Sequence, residues 1–147
     1  MKALEIRDAL AEKLKSIQVA NGYNTDLGLG YSASWSAGMF DDGAVLPVMA
    51  FRPSNSEVLG RSGVRRRVRR VYPLFLVVKG TEDVEREALK VENDLRQLFA
   101  DGRQALGDLA LGLSVSRFEP EFQEHNGAII TDRFYAVLKI TVEYVEG

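Results

Sequence analysis

His125 is the only histidine of the 147 residues, and cysteine is absent. A lone histidine in the run Gln123-Glu124-His125-Asn126-Gly127 could act as a general base only with a nucleophile beside it, and no motif around it supplies one. It reads as an exposed loop residue. Without cysteine there is no disulfide, thiolate metal site or cysteine nucleophile, a composition compatible with a reducing compartment. The carboxylates lack metal spacing: there is no His-x-x-x-His pair and no Asp-x-Asp-x-Asp-Gly loop. Gly28-Leu29-Gly30 and Gly60-Arg61-Ser62-Gly63 have neither the Gly-Lys-Ser/Thr ending of a P-loop nor the strand-to-helix setting of a dinucleotide site. Ser32, Ser34 and Ser36 read as the exposed face of a strand rather than as nucleophiles. The expectation is a structural, self-assembling protein and not an enzyme, with no catalytic residue, metal or cofactor.

One group of residues does call for a partner. Seven of the thirteen arginines lie between Arg52 and Arg70, where Glu57 is the only acid. On an extended strand Arg65, Arg67 and Arg69 share one face, and Arg66 and Arg70 share the other with Val68 between them; Arg61 precedes them. Guanidinium groups suit bidentate contact with carboxylate or phosphate. The balancing acids gather from Glu82 to Asp94, led by Glu82, Asp83 and Glu85, and near the two ends, so the net charge of −2 hides a separation of sign. One reading makes the arginines meet an acidic surface on a neighbouring copy, such as the 82–94 segment. A second is contact with nucleic acid, against which the net charge and an isoelectric point near 5.5 argue. A third is a solvated strand extension.

The elements that must position these groups follow from periodicity. Ile6, Leu10, Leu14 and Ile17 form one stripe of an amphipathic helix over 2–17, which Asn21-Gly22 stops. A short strand is expected at 29–36, where Leu29, Tyr31, Ala33 and Trp35 alternate with small or polar residues, and a turn at Asp41-Asp42-Gly43. Residues 45–52 read as a strand with Pro47 at an edge or at the start, and 53–63 as a polar loop. A long strand over 64–79 follows, basic to Val71 and apolar after Pro73, with the proline marking an edge or a kink. Thr81 is the expected N-cap of a second helix whose stripe is Val84, Ala88, Val91, Leu95 and Leu98, with Glu82, Asp83 and Glu85 at its positive end. A strand over 109–118, a polar loop over 119–127 and a strand over 130–145 complete the chain.

The predicted order is α-β-β-β-α-β-β, an α+β fold in which two main helices pack on one face of a mostly antiparallel sheet. The length suits one domain spanning 1–147, from which 53–70 protrudes as a loop and basic strand arm. An apolar fraction of 46% and a charged fraction of 27% are globular values, so disorder is not the default. No apolar run approaches the ~20 residues that span a bilayer. The first residues mix charges at helical spacing, unlike a signal peptide, and synthesis and folding in the cytoplasm are expected.

Three stretches together resemble the tail terminator (tail completion, minor tail) proteins of long-tailed bacteriophages. They are the N-terminal helix running into Ala20-Asn21-Gly22-Tyr23-Asn24-Thr25-Asp26-Leu27-Gly28; the Leu46-Pro47-Val48 strand with its polar loop and the outgoing strand ending in Phe75-Leu76-Val77-Val78; and the helix from Ala88 to Leu98, with Asn93-Asp94-Leu95, before a closing strand pair. The similarity covers most of the chain; the density of Arg65 to Arg70 matches no motif of that family. The resemblance implies a small α+β subunit in a homo-oligomeric ring, usually a hexamer. Such a ring caps the tail tube, stops its polymerisation and joins it to the head-tail connector protein, at the head-proximal end of the tail in the virion. Its implied partners are further copies, the tail tube protein, the connector and DNA passing through the pore, with no membrane. A ring needs a heterologous interface, in which one patch meets a different patch on the next copy.

Overall fold

The structure, a computed structural model, describes residues 1–36 and 43–147. The chain opens with helix α1 (Lys2–Lys15), whose Ile6, Leu10 and Leu14 are buried, as is Ile17 just beyond it. A 3-10 turn, Val19–Asn21, then ends on Gly22 in the left-handed region. Three strands follow, β1 (Val48–Phe51), β2 (Asn55–Ser62) and β3 (Arg65–Lys79). Helix α2 (Val84–Leu98) comes next, and after a 3-10 segment the strands β4 (Gly112–Val115), β5 (Glu119–His125) and β6 (Ala128–Glu146). The architecture is α+β, built on one six-stranded antiparallel sheet.

Two long strands form the axis of that sheet. β3 and β6 pair antiparallel from Arg66↔Glu146 to Lys79↔Arg133. Each carries two short strands end to end along its outer side: β1 and β2 on β3, β4 and β5 on β6. Alternation then decides the core. Val68, Tyr72, Leu74, Leu76 and Val78 of β3 face the same way as Phe134, Ala136, Leu138, Ile140, Val142 and Tyr144 of β6, and all are buried. The stripes of both helices join them in a single cluster, so α1 and α2 cover one face of the sheet. Each fully buried aliphatic or aromatic side chain there contributes about 1.5–3 kcal/mol relative to exposure.

Several elements differ from expectation. No strand forms over 29–36. A 3-10 turn, Leu27–Gly30, stands there instead, followed by a single bridge from Tyr31 to Met49. The pair Gly28 and Gly30 explains it: a Cβ on Gly28 would collide with the Lys15 carbonyl, and one on Gly30 with the Pro47 carbonyl. These glycines let the chain pass between the end of α1 and the start of β1, which is a packing role and not phosphate binding. The turn expected at Asp41-Asp42-Gly43 lies outside the described residues except for Gly43. Pro47 directly precedes β1, as expected, and the Leu46–Pro47 peptide is cis.

The two polar loops expected at 53–63 and 119–127 are strands, β2 and β5, and each closes a hairpin. β2 is exposed along most of its length, so it carries no alternation of burial for a sequence to show; pairing with β3 defines it. Pro73 lies neither at an edge nor at a strand end. Its carbonyl accepts from the Arg52 N–H at 2.9 Å, in the gap where β1 has ended and β2 has not begun. The missing proline donor therefore falls in a stretch of β3 that neither outer strand pairs with. The cap of α2 is Asp83, whose carboxylate accepts from the Arg86 N–H at 3.1 Å; Thr81 instead bonds to the backbone of Asp83. The strand expected at 109–118 is shortened to β4, because Gly102–Leu109 coils as a 3-10 segment. The resulting order is α-β-β-β-α-β-β-β.

Candidate functional site

The arginine-rich arm is the β2–β3 hairpin together with the last residues of β6. Its turn has two central residues, Gly63 and Val64, with Gly63 at φ +61°, the first position where a tight hairpin of this kind favours glycine. Burial of Val68 and Tyr144 marks where the core stops, and the segment beyond them projects. As alternation predicts, Arg65, Arg67 and Arg69 lie on the face away from the helices, and Arg66 and Arg70 on the face of Val68.

Half of these cations are already engaged. Arg69 stands between Glu57 of β2 and Glu143 of β6, directly opposite both, with ion pairs of 3.1 and 2.9 Å. The hydrogen bond to Glu143 is the main reason its pKa is raised further. Arg66 pairs with Glu146 at 3.1 Å. Arg70 donates to the Tyr144 hydroxyl at 3.1 Å and to Ser54 and Ser56 at 2.9 and 3.3 Å, and the Tyr144 bond leads the causes that raise its pKa. Arg61, Arg65 and Arg67 are exposed and make no ion pair among the described residues. Glu57 was visible in the sequence; Glu143 and Glu146 come from seventy residues away, and only the β3–β6 register brings them in.

The acids Glu82, Asp83 and Glu85 lie at the other end of β3, past Lys79, all exposed. Asp83 is engaged as the helix cap, whereas Glu82 and Glu85 form no ion pair among the described residues. At about 3.3 Å per residue the ten steps from Arg69 to Lys79 separate the two groups by roughly 30 Å of strand. The structure therefore does not bring the arginines and these acids together within one chain; it holds them at opposite ends of the sheet.

The sequence reading missed a second acidic element at that same end. The β5–β6 hairpin carries Glu119, Glu121, Glu124 and Asp132, and no lysine or arginine stands between Phe118 and Asp132. Its two-residue turn is Asn126-Gly127, at φ +52° and +79°. That dipeptide is the strongest short-range hairpin signal, and it was legible. His125 is an exposed residue at this turn.

Asp94 is the exception among the acids of α2. It is fully buried, and it accepts from the Asn24 N–H at 2.8 Å and the Thr25 hydroxyl at 2.6 Å. It ties the loop after α1 to α2. The depressions lined by titratable groups are open, and no cluster among the described residues could hold a metal ion. No helix among the described residues is long and apolar enough to cross a membrane.

The class these observations define is an α+β protein with a basic hairpin at one end of its sheet and an acidic end at the other. Compared with known proteins, the chain matches no family model and no curated sequence.

Proposed function

We propose that this chain is a structural subunit that docks head to tail with copies of itself, the basic β2–β3 hairpin of one copy on the acidic end of the next. The observation that carries the proposal is the placement of the charge left without an ion pair among the described residues: Arg61, Arg65 and Arg67 at one end, and Glu82, Glu85, Glu121 and Glu124 at the other. Two different patches on one subunit make a heterologous contact, which generates a ring when the rotation closes. The resemblance to phage tail terminators gives that ring a role: it caps the tail tube, stops its growth and presents a surface to the head-tail connector, at the head-proximal end of the tail. The subunit in this reading catalyses nothing.

Light scattering and negative-stain microscopy of the pure protein, alone and with tail tube protein, test the proposal. It predicts rings of uniform copy number in at least one of the two samples. A monomer at high concentration in both would overturn it, as would turnover of a substrate by the pure protein. The competing reading is nucleic-acid binding by the arm. It loses weight because Arg66, Arg69 and Arg70 are held by groups of the same chain. Binding of DNA that weakens steeply with salt and disappears on joint Arg65→Glu and Arg67→Glu substitution would favour it instead.

A further inference from the structure

Between α2 and the β5–β6 hairpin lies an open apolar groove of about 190 Å³. Leu89 of α2 and Ile129 of β6 stand on its walls, 55% and 50% exposed, and Phe118 and Phe122 form its half-buried floor. Two large aliphatic side chains left half in water beside two aromatic rings form a contiguous apolar surface rather than scattered residues. Its rim is acidic. Glu85 and Glu92 line it, and Glu124 lies directly across from Ile129 in the hairpin register, so it flanks the same surface. The cations near its far end are occupied, Arg96 with Glu92 and Arg117 with Glu119.

The opposite end of the molecule carries the complement. Val64, at the tip of the β2–β3 hairpin, is 83% exposed. A β-branched apolar residue at a tight turn gains nothing from its own chain in that position. Arg61 and Arg65 flank it, and neither has an ion-pair partner among the described residues. An apolar knob ringed by guanidiniums matches an apolar groove ringed by carboxylates in both shape class and sign.

We infer that the occupant of this groove is the tip of a second copy's β2–β3 hairpin, with Val64 seated against Leu89 and Ile129, and with Arg61 and Arg65 facing Glu85 and Glu124. The inference rests on the head-to-tail reading and gives it a specific contact. The groove and the tip lie at opposite ends of the axis formed by β3 and β6, so no chain can fill its own groove. The apolar contact supplies affinity, and the surrounding charges set orientation and speed of encounter.

The absence of cysteine makes the test clean, because any disulfide must join introduced residues. Val64→Cys protein is mixed with Leu89→Cys protein carrying a mass tag, under mild oxidation. A disulfide needs Cα atoms within about 7 Å, so it reports seating and not mere proximity. The inference predicts a mixed disulfide in good yield, and none when Leu89→Cys is replaced by Val19→Cys, an exposed position that does not line the groove. Independently, Val64→Asp and Leu89→Asp each weaken association at least tenfold with an unchanged unfolding midpoint, since both side chains are mostly in solvent. Wild-type assembly without the mixed disulfide, and unaffected by either aspartate, overturns the groove contact and leaves the head-to-tail reading standing. Failure of the wild type to assemble, alone or with tail tube protein, overturns both.

Discussion

The two hairpins of this protein are built alike and finished differently. Each pairs a short outer strand with one of the two long central strands, and each turns in two residues. In the β2–β3 hairpin half of the arginines are engaged across the strands: Arg69 lies between two glutamates, Arg66 opposes a third, and Arg70 donates to Tyr144. Arg61, Arg65 and Arg67 make no ion pair among the described residues. In the β5–β6 hairpin Glu119 and Asp132 meet a cation, on Arg117 and Arg133, and Glu121 and Glu124 make no ion pair among the described residues. A run of six arginines thus presents a smaller charge than it spells, and a segment that reads as a polar loop is a hairpin strand with an acidic face. What reaches a partner is the charge left after cross-strand pairing, not the charge written in the run.

The sharpest way to break this contrast is to reverse the free cations. Joint substitution of Arg65→Glu and Arg67→Glu should weaken self-association by roughly a hundredfold or more, since like charges then face each other across the interface; sedimentation velocity measures it. A second variant asks whether all acids of α2 belong to the docking end. Asp94→Ala should destabilise the fold by about 3 kcal/mol, because the Asn24 N–H and the half-buried Thr25 hydroxyl lose a fully buried, charged acceptor. Urea unfolding reads that loss, and an unchanged midpoint would show that the contact is dispensable. Smaller effects separate engaged from free arginines. Arg69→Ala should lower the unfolding midpoint and spare association, whereas Arg67→Ala should do the reverse.

The smallest effect concerns the root of the basic arm. Tyr72 is buried and donates its hydroxyl to the Ala3 carbonyl at 2.8 Å, and burial pushes its pKa up to about 12. The unfolded chain ionises near ~10. The folded state therefore holds the proton more tightly, and the contribution is whole below that pH and lost as pH rises towards about 12. Unfolding midpoints should fall across this range, and Tyr72→Phe should flatten the slope.

Much of the fold was legible because burial left a period. The stripes of α1 and α2 and the alternation of β3 and β6 are all one-sided, and they stand where periodicity puts them. β2 left no such trace, since nearly every side chain is exposed and the strand exists through backbone pairing. β5 was obscured by its acids, although Asn126-Gly127 announced its turn. Pro73 misled because the rule excluding proline from interior strands concerns a donor, and here that donor faces a gap. The arginine faces were readable by parity. Their neutralisation was not, because Glu143 and Glu146 join the arm only through long-range register. The buried role of Asp94 was equally hidden, as its partners lie about seventy residues upstream.

Exchanging the signs of the two ends tests the central claim most directly. One variant carries Arg61→Glu and Arg65→Glu, and another carries Glu85→Arg and Glu124→Arg. Each alone presents matching signs at both ends and should remain dissociated, while an equimolar mixture should assemble by alternating the two. Assembly of either variant alone at wild-type strength, or a mixture that stays dissociated where the wild type assembles, would contradict it.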